Sequence, residues 1–182
     1  SSVNIEDLTG NAVSVSNVND APTGSVSISG TPTQGQTLTA ANTIADADGL
    51  GTISYAWKRA GSSISGATSS TYQLVQADVG SAISVTASYT DGAGTAESVT
   101  STATSAVANV NDAPTGSVTI SGTPTQGQTL TAANTLADAD GLGTISYQWK
   151  RDEENISEAT SSTYLLVQAD VGSAISVTAS YT

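Results

Sequence analysis

Cysteine, histidine, methionine and phenylalanine are all absent from this 182-residue chain, and four lysines and arginines stand against sixteen aspartates and glutamates, a net charge of −12. Without cysteine there is no disulfide framework, and without cysteine and histidine there is no zinc site of the usual nitrogen and sulfur type. A Ser/His/Asp triad or a Cys/His nucleophilic pair is excluded for the same reason. Four cations cannot build the clustered basic surface that a phosphate backbone requires, so nucleic acid is excluded as a partner. No apolar run approaches the ~20 residues of a membrane span, and no signal-peptide pattern is present. The missing initiator methionine and abrupt ends are what a fragment cut from a longer chain would show. Oxygen-ligand chemistry, binding and mechanics remain.

Aromatics make up 4% of the residues and charged residues 11%, a composition that leans towards disorder. The 37% hydrophobic content and its regular spacing argue for a folded chain. Two periods are present. The longer begins at Asn17, where NVNDAPTGSVSISGTPTQGQTLTAANTIADADGLGTISYAWKRA opens, and it returns from Asn109, a repeat of 92 residues. Over the 74 aligned positions from Asn17 and Asn109 there are nine differences. Most are mild, such as Ile44 for Leu136. In one run Ala60, Gly61, Ser62 and Gly66 become Asp152, Glu153, Glu154 and Glu158. A period this long suits one small domain per repeat. By register, residues 1–16 occupy the slot of a preceding unit's last strand, with Val13 and Val15 aligned to Ser105 and Val107. Residues 17–108 are then a complete unit, and residues 109–182 a unit lacking its final strand.

The shorter period is two, the mark of half-buried antiparallel strands. In the first repeat it places Val26 and Ile28, then Leu38 and Ala40, then Ile53, Tyr55 and Trp57, on one face of successive strands. Tyr72 and Leu74 follow, then Ile83, Val85, Ala87 and Tyr89, and a last strand around Val99 to Val107. Helical periodicity is confined to one short turn within Val75–Gly80. Six or seven short strands, with turn signals about every 8–12 residues, predict an all-β chain of tandem immunoglobulin-like antiparallel β-sandwich domains. With Phe absent and many inward positions Ala, the two tryptophans and six tyrosines carry the packing. The core is modest, and ties between loops and linkers should stabilise it.

Charges are rare enough that their positions matter. Asp20 lies in the linker NVND, Asp46 and Asp48 in ADADGLG between the second and third strands, Asp78 in VQADVG and Asp91 in SYTDGAG. Asp112, Asp138, Asp140 and Asp170 repeat four of these. Alternate loops of a sandwich share an end, so Asp20, Asp46, Asp48 and Asp91 should converge at one pole. Carboxylates ~4 Å apart repel by roughly 1–4 kcal/mol per pair. With so few basic residues, a bound cation is the expected neutraliser. Ca²⁺ takes about six to eight oxygen ligands in irregular geometry, and Asn19, Asn111 and linker carbonyls could complete its shell. The loop is also an ordinary solvated turn by composition. It is not an EF-hand, because position twelve counted from Asp46 is Trp57.

These residues resemble a family. NVNDAP resembles the cadherin interdomain linker DxNDNxP, ADADGLGTISYAW is similar to the cadherin DAD(S)GxNxxIxYxI segment, and ISVTASYTDGAG to LxVxAxDxG. The resemblance implies calcium held between repeats by Asn111, Asp112, Asp138 and Asp140, and one unit earlier by Asn19, Asp20, Asp46, Asp48 and Asp91. Asn17 and Asn109 stand where cadherins have Asp, and the paired glutamates are missing, which implies one or two weakly held ions per junction. From Asn17 to Thr182 the chain also resembles the Ig-like and cadherin-like tandem repeats of large bacterial surface adhesins of the RTX and biofilm-associated type. That implies an extracellular, cell-surface stalk holding a terminal ligand-binding domain away from the cell, with neighbouring repeats as its partners.

Other features read more plainly. Asp78 and Asp170 cap a short helical turn. Asp152–Glu158 is a solvated loop that varies between repeats, and the sequon Asn155-Ile156-Ser157 is a coincidence of composition. Trp57 and Trp149 belong to the core, and Lys58-Arg59 and Lys150-Arg151 are gatekeepers at strand ends. An adhesive module contacting carbohydrate, protein or itself through its loops is the alternative to a spacer. An enzyme has little support, because the carboxylate pairs lack an aromatic cleft or titratable partners. An open edge on the second repeat would invite the segment Ser2–Ser16 of another molecule, giving head-to-tail association by strand addition.

Overall fold

The structure, a computed structural model, describes residues 13–182. The N-terminal strand expected over residues 1–16 lies mostly outside the described residues, and Val13–Asp20 carry no regular secondary structure. The chain divides into two units, Ser1–Asn109 and Val110–Thr182.

In unit 1 the strands are β1 (Val26–Ser29), β2 (Thr37–Asn42), β3 (Ser54–Arg59), β4 (Ser62–Ser63), β5 (Thr71–Gln73), β6 (Ile83–Thr90) and β7 (Ala96–Thr100). They form two antiparallel sheets, ordered β1-β2-β5 and β4-β3-β6-β7. The chain changes sheet after β2, returns after β4 and changes again after β5, the Greek-key route of an immunoglobulin-like sandwich. Period-two alternation turns Val26, Leu38, Ala40, Trp57, Leu74, Ile83, Val85 and Ala87 inward, where all are buried. The Trp57 ring stacks on Tyr72 at 5.7 Å, and its Nε1–H donates to the Ser69 carbonyl at 2.8 Å, so burial leaves no polar atom stranded.

Three local features differ from what the alternation suggests. The expected last strand, Val99 to Val107, is broken. β7 ends at Thr100, and the chain then crosses to bridge other segments, Ala106 to Ala82, Val107 to Val79 and Ala108 to Thr33. The last two bridges are parallel, and Val107 enters the core beside Ile83. The short strand β4 is an addition, folded back from β3 by a two-residue turn in which Ala60 and Gly61 both have positive φ (46° and 82°). Arg59 is a correction. It is no mere strand-end gatekeeper, because its Nε–H donates to Asp78 Oδ1 at 2.7 Å, and the Asp78 side chain is 0% exposed. Asp78 also accepts from the Val75 N–H (2.8 Å) and the Tyr72 hydroxyl (3.0 Å), closing the expected short turn, a 3-10 turn at Gln76–Asp78. A buried carboxylate persists because both its oxygens accept hydrogen bonds, one of them from a guanidinium.

Unit 2 repeats the plan with β8 (Val118–Ser121), β9 (Thr129–Asn134), β10 (Ser146–Arg151), β11 (Glu154–Asn155), β12 (Thr163–Leu165) and β13 (Ile175–Ser180). Its sheets run β8-β9-β12 and β11-β10-β13. Trp149 stacks on Tyr164 at 5.6 Å, and Arg151 meets Asp170 at 2.5 Å. Among the described residues nothing stands where β7 and the Ala106–Ala108 crossing stand in unit 1. The buried apolar core accordingly reduces to Leu130, Ala132, Trp149 and Leu166, with Ile175 and Val177 only half-buried.

Candidate functional site

The pole of unit 1 that receives the entering linker is built by three segments. The turn after β2 carries Asp46 and Asp48, and the turn after β6 carries Asp91. One carboxylate oxygen from each lies within 4.8 Å of the others. Backbone geometry forces this approach. Gly92 N–H donates to the Asp48 carbonyl at 3.1 Å, and a Cβ on Gly92 would sit 2.4 Å from that same oxygen, so only glycine lets the two turns close. Gly49 has φ +101°, which completes the bend after Asp48.

Each of the three carboxylates accepts at least one hydrogen bond, and one buried oxygen accepts none. Asp46 Oδ1 accepts the Asp48 N–H at 2.9 Å, an Asx turn, and Asp46 Oδ2 accepts the Tyr89 hydroxyl at 2.5 Å. Asp48 Oδ2 accepts the Asp20 N–H at 2.7 Å, which ties the linker to the loop. Asp91 Oδ1 accepts the Thr95 N–H at 2.6 Å. Asp91 Oδ2 is buried without a hydrogen-bond partner, in a residue only 6% exposed. Burial and the adjacent Asp46 carboxylate push the Tyr89 hydroxyl well above the usual phenol range, with Glu97 and Asp91 adding to the same negative field.

Of the residues expected at this pole, Asp46, Asp48 and Asp91 are brought together directly. Asp20 arrives through its backbone N–H, and Asn19 is turned to Glu97, its Nδ2 donating to Oε1 at 2.8 Å. Glu97, on β7, was not among the expected residues. Its signal in the sequence was its place in the strand that leaves the Asp91 turn, where period two sets it on the half-buried face of Val99, opposite Tyr89.

Unit 2 reproduces the linker half of this geometry. Asp112 N–H donates to Asp140 Oδ2 at 2.7 Å, Asp140 N–H to Asp138 Oδ1 at 2.8 Å, and the Tyr181 hydroxyl to Asp138 Oδ2. The hydrogen bond to Asp138 and burial push the Tyr181 hydroxyl up to about 12. Asn111 Nδ2 donates to the Asp112 carbonyl at 3.0 Å. Residues 109–182 hold no counterpart of Asp91, so two carboxylates stand here where unit 1 has three.

No family model and no curated protein matches this sequence. Among solved structures, it is similar to the three N-terminal domains of the bacteriophage RB49 Highly Immunogenic Outer Capsid protein (Hoc), at 17% identity and a TM-score of 0.33. That likeness covers 87% of this chain and 58% of the other, so the chain spans a little over half the length of the structure it matches.

Proposed function

We propose that this chain is a spacer from the stalk of a bacterial surface adhesin, extracellular and non-enzymatic, whose linkers are ordered by Ca²⁺. The observation that carries the proposal is the meeting of Asp46, Asp48 and Asp91, with Asp91 Oδ2 buried and unpartnered. A buried carboxylate oxygen with no donor costs several kcal/mol of lost solvation, and its neighbours' charges raise that cost. The salt-bridged cations, Arg59 and Arg151, are engaged with Asp78 and Asp170, so the charge at this pole is not met by them. The donor set is all oxygen, which suits a hard divalent cation over a transition metal.

Ca²⁺ bound here would supply the positive charge that Asp91 Oδ2 lacks. The chain's own residues do the rest. Asp46 and Asp48 hold their orientation through the Asx turn and Tyr89, and Asp48 holds the linker through Asp20. Asn19 and Glu97 bring a further amide and carboxylate to the same segment. In unit 2, Asn111, Asp112, Asp138 and Asp140 would hold an ion in the same way. Repeats joined by linkers ordered in this way would extend a stalk and have neighbouring repeats as their partners.

Calorimetry with Ca²⁺ and with chelator tests the proposal. At about 100 times its Kd an ion adds about 2.7 kcal/mol, which raises the melting temperature of a domain this size by roughly 10 °C. Asp91→Asn should keep the fold and lose most of that rise. An unchanged melting temperature, or an equal rise in Asp91→Asn, would overturn it.

A further inference from the structure

The two repeats differ at nine of 74 aligned positions, and six of the nine fall within residues 148–158 of unit 2. One of them, Asn155 for Ser63, creates Asn155-Ile156-Ser157, the single Asn-x-Ser/Thr sequon of the chain. By composition the sequon passes for coincidence, but its setting in the fold gives it a use. β11 is an edge strand that pairs with β10 alone, and both its residues are exposed. Trp149 is buried in the core, so the next residue, Lys150, and its cross-strand partner Asn155 lie on the outer face of the sheet. The chain turns directly afterwards, the Ala159 N–H donating to the Ile156 carbonyl at 3.2 Å, and Ser157 stands exposed in that turn. Among the described residues no hydrogen bond is assigned to the Asn155 amide or the Ser157 hydroxyl.

Two further substitutions act on the same three residues. Gln148, where unit 1 has Ala56, donates from Nε2 to the Trp149 and Ile156 carbonyls at 2.8 and 2.9 Å, which fixes the chain between Asn155 and Ser157. Glu153, where unit 1 has Gly61, holds φ +72°. A side chain in that left-handed region is strained, and no bond within the chain to the Glu153 carboxylate offsets the strain. Strain that no internal contact explains points to function. Glu153 lies two residues before Asn155 at the exposed end of the hairpin, so one enzyme surface can meet its charge and the Asn155 amide together.

We infer that Asn155 is an N-glycosylation site whose recognition element is Glu153, Asn155 and Ser157. The donor is a sugar joined through C1 to a diphosphate. Asn155 Nδ2 attacks C1, so the C1–N bond forms and the C1–O bond breaks. The diphosphate leaves with the bonding pair, and the amide proton passes to a base of the transferase. Glu153 selects a transferase with a basic residue beside its acceptor pocket, which distinguishes this acidic sequon from a neutral one. The glycan would project from the outer face of unit 2, bulky and solubilising. This inference is independent of the proposed cation.

Intact-mass spectrometry of the whole folded chain tests it in two arms, one with a bacterial oligosaccharyltransferase and a lipid-linked oligosaccharide, the other with a soluble transferase and UDP-glucose. The expected result is one glycan per chain, mapped to Asn155, and the arm that reacts identifies the source of the sugar. Asn155→Gln and Ser157→Ala should abolish transfer with circular dichroism unchanged, because both side chains are exposed. Glu153→Gly should slow transfer about tenfold while the unit becomes more stable, a pairing that loss of fold could not give. No transfer in either arm overturns the inference. So does transfer indifferent to Glu153→Gly, and so does transfer to a peptide of residues 150–160 but not to the folded chain.

Discussion

At the scale of the residue, the side chains that decide this molecule are carboxylates, and they divide by partner. Asp78 is fully buried and its bonds come from Arg59, Tyr72 and the Val75 N–H. Removing it strands a guanidinium and a phenol together. Asp78→Ala should therefore cost roughly 3 kcal/mol, the lower end of the range for a broken buried pair because the Arg59 side chain keeps 31% exposure. Urea unfolding measures this, and a loss under about 1 kcal/mol would show that the pair does no more than break even. Its counterpart Asp170 adds a pH dependence. Burial pushes its carboxyl up, but the Val167 N–H, Arg151 and Tyr164 together hold it below the ordinary 3.8. A lowered folded value means that the stability is present above the unfolded value and lost as pH falls through the folded one. Unit 2 should thus lose stability below about pH 4, and Asp170→Asn should flatten that acid limb of the Tm–pH curve. The aspartates at the pole were legible in the sequence because charges are scarce and alternate loops of a sandwich share an end. The Arg59–Asp78 pair was not. Nineteen residues separate its members, and only the fold back from β3 to the turn at Gln76–Asp78 brings them together.

At the scale of the element, alternation sufficed wherever one face is apolar and the other polar, as in β2, β3 and β6. It failed where the residues are uniformly small. Ser101-Thr102-Ala103-Thr104-Ser105 has no apolar period, so the break between β7 and the Ala106–Ala108 crossing left no mark in the sequence. The hairpin between β10 and β11 shows the reverse case, a sequence at odds with its backbone. Its two-residue turn, Asp152-Glu153, has positive φ at both positions (45° and 72°), where unit 1 uses Ala60-Gly61. Such a type I′ turn favours Asp-Gly, and a side chain beyond Cβ in the left-handed region costs about 1 kcal/mol. Asp152 earns its place by accepting the Ala174 N–H at 2.8 Å, whereas no hydrogen bond is assigned to the Glu153 side chain. Glu153→Gly should then stabilise unit 2 by about 0.5–1 kcal/mol, the gain reduced by the freer unfolded chain. Chemical denaturation that shows a loss instead would mean that the acidic turn holds contacts the backbone does not reveal.

At the scale of the whole molecule, two nearly identical sequences bury their cores to different degrees within residues 13–182, because the segment Ser101–Ala108 that covers the first has no counterpart among residues 109–182. Unit 1 closes its core with Val107, and Ile83 and Val85 are fully buried; in unit 2 their counterparts Ile175 and Val177 are half open. Each apolar side chain left half uncovered forfeits about 1 kcal/mol, so unit 2 should be the weaker by several kcal/mol. Heating should accordingly give two transitions, the lower one belonging to unit 2. The tryptophans assign them, one to each core. In Trp57→Phe the remaining emission of Trp149 should follow the lower transition, and in Trp149→Phe that of Trp57 the upper. Coincident transitions for both reporters would show that covering a core with a crossing segment matters less than the burial difference implies. The proposed cation acts on one limb of this curve. Ca²⁺ should raise chiefly the upper transition, where three carboxylates meet around a buried unpartnered oxygen. A chain whose lower transition moves with calcium while its upper one stays fixed would reverse that assignment, and no general gain in stability could produce that pattern.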